Sequence, residues 1–313
     1  MGDGVGVTYG LARMVLGSRS FIETSREEFE AVSAAVDGLT EVTEVEEKLD
    51  LLLENYAELE ADMLRVTVGE MIFRDLDYAT FARRRGLFNR RIVNLLTAAR
   101  MYVDHVPRHM GRVLDGDVRS KAEVGAHFSE SYDSSLSYRL MEALRNHVQH
   151  RAFPIHKVTF RSAWHEEGGE TKLEFSVGLE VLPDELAEDG KFKASVLGEL
   201  RASGGKVDLK RTAREYVQAL ALVHEKVREK IKDRTSAWEA VVAGAESKFQ
   251  GRFPGEDIIG LAAVVRRPNG TVQEHVPIAR HLVQYRKFLE GKNAVLATLS
   301  KRYVTGRAAL EAR

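Results

Sequence analysis

The chain contains no cysteine. That absence excludes a disulfide framework, thiolate zinc ligation and a cysteine nucleophile, and it fits a reducing compartment. No uninterrupted apolar run is long enough to span a bilayer. The start, Met1-Gly2-Asp3-Gly4-Val5-Gly6, lacks the basic segment followed by an apolar one that marks a secretory leader. A cytoplasmic protein with no membrane association is the expectation. Neither sign of charge is in excess, because 46 Lys and Arg stand against 47 Asp and Glu, a formal net charge of −1. A nucleic-acid site must therefore rest on a local basic patch rather than on bulk attraction. Nucleophile elbows, phosphate loops and dinucleotide fingerprints are missing as well. Gly2, Gly4 and Gly6 follow no strand, so they read as a flexible terminus.

What is present points to a folded, helix-rich chain. Its 313 residues are 44% hydrophobic and 30% charged, enough for a sizeable core and more than one compact unit. Ser25 with Glu28 forms a capping box that opens a helix, which Gly38 is expected to close. A second capping box, Thr43 with Glu46, opens a longer helix. Its apolar residues Val45, Leu49, Leu52, Tyr56, Leu59, Met63 and Val66 step by four and three, while Glu44, Glu47, Asp50, Glu54, Glu58 and Glu60 load the other faces. That stripe suits packing on a bundle better than a dimeric coiled coil. The pattern lapses from Asp75 to Gly86 around Arg83-Arg84-Arg85. It resumes as a helix from Leu87 to His105 that Pro107 limits. Two more helices follow, near Val118–Ser131 and Asp133–Arg151, with Pro154 ending the second.

Beyond Pro154 the period changes to two. Ile155–Phe160 and Leu173–Leu179 alternate around Glu166-Glu167-Gly168-Gly169, which predicts a β-hairpin. A helix spans Asp208 to Phe249. Gly251 and Pro254 mark a boundary before a second hairpin, Leu261–Val265 with Thr271-Val272 around Pro268-Asn269-Gly270, and one or two closing helices. The expected class is mainly α: a helical bundle with an inserted β-hairpin and a small C-terminal α+β unit. The expected segments are 1–74 as a helical extension, 75–250 as the helical domain with its hairpin near 155–182, and 251–313.

Arg145-Asn146-x3-His150, at the end of one bundle helix, resembles the Arg-(Asn/Asp/His)-x3-His signature of HEPN domains. The helices from Leu87 to Arg151 look similar too, and the likeness covers about half the chain. The resemblance implies a HEPN-like helical bundle that dimerises, so that two copies of the motif face each other in one composite ribonuclease site. It also implies a toxin or antiviral effector that cuts RNA without metal or other cofactor, kept silent by an inhibitory partner protein.

The chemistry suits the residue types. Attack by the RNA 2′-hydroxyl leaves a 2′,3′-cyclic phosphate and a 5′-hydroxyl, and it needs a base, an acid and a cation for the developing charge. Histidine, with an ordinary pKa near ~6.5, serves as acid or base at neutral pH. Arginine stays charged and holds two phosphoryl oxygens. Asn146 can donate to phosphate or fix the imidazole. One chain supplies one His150, and a two-fold dimer would supply the second. On an ideal helix Arg145 and His150 point about 140° apart, whereas Asn146 and His150 share a face. His147 falls within the apolar stripe and is expected to be a core or interface residue.

Supporting candidates are Arg90 and Asn94 on the Leu87–His105 helix, with Arg100 near its far end. Arg83 to Arg85 could track an RNA backbone, although such a run is commonly plain surface. No metal site is expected: His105-x3-His109 has Pro107 inside it and no nearby acid completes a site, and His165-Glu166-Glu167 lies in the predicted hairpin turn. The competing expectation is a helical interaction module without catalysis, binding nucleotide, RNA or a protein partner.

Overall fold

A computed structural model of the protein describes residues 6–73, 77–167, 169–188, 190–278, 280–294 and 296–304. Gly2, Gly4, Asp75 and Gly168, named above, lie outside these residues. Among the described residues the chain is mainly helical, with two small antiparallel sheets. In order the elements are β1 (Thr8–Arg13), β2 (Phe21–Thr24), α1 (Arg26–Phe73), α2 (Tyr78–Val113), α3 (Val118–Ser134), α4 (Leu136–His150), β3 (Lys157–Glu167) and β4 (Glu170–Val181). Then come α5 (Pro183–Glu188), α6 (Ala194–Ala202), β5 (Val207–Asp208), α7 (Leu209–Arg252), β6 (Leu261–Arg266), β7 (Val272–Pro277) and α8 (Arg280–Lys292). No described helix is long and apolar enough to cross a membrane.

The chain gathers into two compact units, each discontinuous in sequence. One comprises Met1–Glu47, His105–Val124 and Lys226–Ala294; the other comprises Lys48–Asp104, Gly125–Glu225 and Val295–Arg313.

The first unit is built on a four-stranded sheet in the order β2-β1-β6-β7. The hairpin expected near 261–272 is present as β6 and β7, and β1 pairs along the whole of β6, Thr8 opposite Arg266 through Arg13 opposite Leu261. Residues 8–24 thus supply two strands of a sheet. Leu261, Ala263 and Val265 point to one face and join Leu11, Phe29, Val32, Leu39, Val242 and Phe249 in a core. Ala262, Val264 and Ala12 are buried on the other face, where Phe21 packs. Gly10 admits this arrangement, since a Cβ there would collide with the Phe21 ring.

Two expected helix breaks are absent. Gly38 does not close a helix: α1 runs through it, and the ring of Trp238 fills the space where a Cβ would stand, 2.5 Å away. Close approach by a neighbouring ring, rather than a chain reversal, is what requires glycine here. Thr43 and Glu46 do not form a capping box either. The Thr43 hydroxyl donates to Leu39 O at 2.8 Å inside the helix, and the buried Glu46 carboxylate accepts two bonds from Arg228, at 2.8 and 2.6 Å.

Pro107 lies inside α2 instead of ending it. An interior proline costs a helix ~3 kcal/mol. Burial of Val106, Met110, Val113 and Leu114 around it, each contributing roughly 1.5–3 kcal/mol, offsets that cost. Arg83-Arg84-Arg85, expected in a patternless stretch, sits on α2 as well. Arg84 pairs with Glu70 and lies over the Phe160 ring, 5.2 Å from its centroid.

In the second unit the expected stripe of α1 is buried by the chain itself, from Leu49 to Val66. Buried Phe88, Ile92, Leu95 and Tyr102 of α2, Leu140, Met141 and Leu144 of α4, and Tyr216, Leu220 and Val223 of α7 complete its interior. Polar contacts tie these helices together. Arg91 reaches Asp62 and Glu58, Arg214 reaches Tyr56 and Glu60, and Tyr102 hydroxyl meets His224 Nδ1 at 3.0 Å. The expected hairpin of β3 and β4 pairs from Lys157 opposite Glu180 to Glu167 opposite Glu170, with Gly169 at a φ of 82°. Between it and α7 lie α5, α6 and β5, for which the sequence pattern gave no expectation.

Candidate functional site

Helix α4 carries the motif at its C-terminal end. It starts at Ser135, whose Oγ accepts from Tyr138 N at 3.2 Å, and it ends at His150, after which Arg151 N donates back to His147 O at 2.8 Å. Pro154 follows, and the departing chain is held by buried Asn89 of α2, whose Oδ1 accepts from Ile155 N at 3.1 Å. The end of the helix is therefore fixed by backbone hydrogen bonds on both sides of the turn.

Beside this end lies a cleft of about 530 Å³. Glu142, Asn146 and His150, successive at four-residue spacing, line it from α4. This is the shared face that helix geometry assigns to Asn146 and His150. Both of those side chains are exposed, while His147 is buried at 6% exposure. Arg151 continues the lining past the helix, and Lys191, Phe192 and Lys193 supply the opposite side. Three cations thus face the cleft together with exposed His150, and the buried His147 contributes to the lining as well.

The facing turn is pinned in place. Gly190 adopts a φ of 64°, and Phe192 is buried edge-on against His147, 5.8 Å between centroids. Lys193 bonds the Tyr132 hydroxyl and stands 5.0 Å from that ring's centroid. Helix α6, which begins just after Lys193, is tied to α4 by a two-bond pair, Arg139 Nε and Nη2 to Glu199 at 3.2 and 2.5 Å.

Among the described residues the one carboxylate in the lining is already engaged. Glu142 Oε1 accepts from Tyr216 hydroxyl at 2.7 Å, and Oε2 accepts from Arg100 Nη1 at 3.3 Å. Burial, reinforced by the Glu142 charge, pushes the Tyr216 phenol well above its usual range, so it stays a donor. Arg100 also binds Asp104, at 2.6 Å. Behind the cleft, burial lowers the pKa of His156, with His147 adding to the effect against the opposing pull of Glu185. His156 Nδ1 accepts from Leu182 N at 3.0 Å.

The sequence-expected residues divide into those the cleft gathers and those it does not. Asn146 and His150 line it, and Arg100 reaches its floor through Glu142. Arg145 is half-buried, outside the lining, and donates from Nη1 to Asn146 Oδ1 at 3.0 Å. Arg90 and Asn94 are exposed and line no part of the cleft. Sequence reasoning passed over Asn89, Glu142, Tyr132, Lys191 and Lys193. Two signals were available: Glu142 continues the Asn146–His150 spacing, and Lys191-Phe192-Lys193 interleaves cations with an aromatic ring.

His105 and His109 both lie on α2 with rings 6.5 Å apart, and an acid does meet His109: Glu41 Oε2 is 2.6 Å from its Nδ1. Arg112 shares that carboxylate at 2.8 Å. Among the described residues no group of three His, Asp or Glu side chains is placed to hold a metal ion. Compared with known proteins, the chain matches no family model, no curated protein and no solved structure.

Proposed function

We propose that the cleft at the end of α4 is the active site of an RNA endonuclease of HEPN type, with Arg145, Asn146 and His150 as its working residues. The observation that carries this reading is that Asn146 and His150 open on one cleft whose cations are Arg151, Lys191 and Lys193. Such a lining attracts a phosphodiester, and the imidazole can exchange a proton with the 2′-oxygen or the departing 5′-oxygen. Arg145 serves as the cation for the phosphorane-like transition state once its side chain leaves Asn146 for phosphate. The missing second acid–base group comes from a second copy of the chain, so the working form is a homodimer. A role as a toxin or antiviral effector, held in check by an inhibitory protein, belongs to the same reading.

A second reading has its own observation. Arg145 spends its hydrogen bond on the neighbouring Asn146 and does not line the cleft. A cleft of that kind binds phosphate without cutting, which makes the protein an RNA- or nucleotide-binding module. Incubating the purified chain with structured RNA in EDTA separates the two. Cleavage that persists in EDTA and is lost in both Arg145→Ala and His150→Ala supports the endonuclease; binding without cleavage supports the module.

A further inference from the structure

We infer that Lys191 and Lys193 form a clamp for the phosphate next to the one handled at His150, making the turn 190–193 a substrate-positioning element. The inference rests on reading the cleft as an RNA site. Phe192 is buried at 7% exposure against His147, and the exposed Lys191 and Lys193 on either side of it both line the cleft. Two lysines held by one buried ring differ from freely moving surface lysines, because the ring fixes their backbone relative to α4.

The charge balance favours an anion. Among the described residues the lining carboxylate is Glu142, which Arg100 and Tyr216 already engage, and the exposed cations beside Phe192 are Lys191 and Lys193. Lys193 is steadied by Tyr132, whose phenol accepts its ammonium without neutralising it. Lysine acts on phosphate as a point charge, tolerant of the oxygen geometry. That suits a group that grips the backbone beside the reacting centre, leaving orientation of the scissile phosphate to the motif.

The test uses the full chain carrying His150→Ala, so that bound RNA stays intact, and a fluorescent single-stranded RNA titrated across roughly 50–200 mM salt. Adding Lys191→Gln and Lys193→Gln is expected to weaken binding about tenfold or more and to lower the salt slope of log K by about 0.7, one phosphate contact on a single strand. Lys157→Gln with Lys172→Gln, an equal charge change on the β3–β4 hairpin, is expected to leave the slope unaltered. In the active chain the Lys191/Lys193 variant raises KM while kcat stays within about twofold, as a binding contact made equally in ground and transition states requires. An unchanged slope and affinity, or no RNA binding by the parent chain, overturns the clamp. RNA bound with a lysine-dependent slope but never cut leaves the clamp standing and removes the endonuclease reading. Cutting that ignores both lysines does the reverse.

Discussion

The ring of Phe192 stands edge-on to that of His147, with 68° between their planes, and both residues are buried. This one contact joins the turn before α6 to the last full turn of α4. It places the Lys191/Lys193 cations opposite Asn146 and His150. His147 therefore anchors the cleft's far wall from its position on the apolar stripe of α4.

Phe192→Ala is expected to cost about 3 kcal/mol, the low end for loss of a buried phenylalanine. Urea denaturation monitored by far-UV circular dichroism measures it. Phe192→Leu keeps most of the apolar volume and should lose less than half as much. Equal losses for both variants would mean that the aromatic ring itself, and not the apolar volume it fills, is what matters at this position.

Gly38 and Trp238 give a test of the first unit. An exposed helical Gly→Ala change gains up to ~1 kcal/mol in propensity. At Gly38 the new Cβ would stand 2.5 Å from the indole, and overpacking of that kind costs roughly 1–3 kcal/mol. Gly38→Ala is thus expected to lower the thermal midpoint, and adding Trp238→Leu should recover part of the loss. A raised midpoint in the single variant would contradict the packing described.

Much of this was legible in the sequence and some was not, for identifiable reasons. The stripe from Leu49 to Val66, the β3–β4 hairpin and the course of α4 follow from hydrophobic period and turn residues, which are local signals. Gly38 and Pro107 misled because their meaning is tertiary: Trp238 lies 200 positions away, and the burial around Pro107 outweighs its backbone cost. The pairing of β1 with β6 spans almost the whole chain and leaves no local trace. At the site, four-residue spacing put Asn146 and His150 together correctly. It gave no hint of the Lys191–Lys193 wall, because the contact that builds it, Phe192 on His147, joins segments 45 residues apart.

Glu46 and Arg228 form a pair whose carboxylate is buried at 1% side-chain exposure. Breaking a buried pair by removing one partner typically costs 3–5 kcal/mol. Arg228→Met is therefore expected to destabilise by about that much. The double variant Arg228→Met with Glu46→Leu should be clearly more stable than the single one. Additive losses in the cycle would show that the two side chains do not interact.

His156 gives a pH dependence of definite sign. Its folded pKa lies below the unfolded value of about 6.5, so on acidification the unfolded chain takes up the proton first. Its stabilising contribution is complete above about pH 6.5 and is lost as pH falls through the folded pKa. His156→Asn retains an acceptor for Leu182 N and removes the titration. Across pH 7.5 to about 5, the parent chain should lose stability relative to this variant. Parallel stability curves would contradict the assignment.

The most direct test of the proposed activity is the fate of the RNA ends. Full-length protein is incubated with RNA in EDTA, and the products are resolved for their terminal chemistry. Cleavage leaving 2′,3′-cyclic phosphate and 5′-hydroxyl ends, abolished in His150→Ala and in Arg145→Ala, is the expected result. Intact RNA with the parent chain, or cleavage that survives His150→Ala, would contradict it.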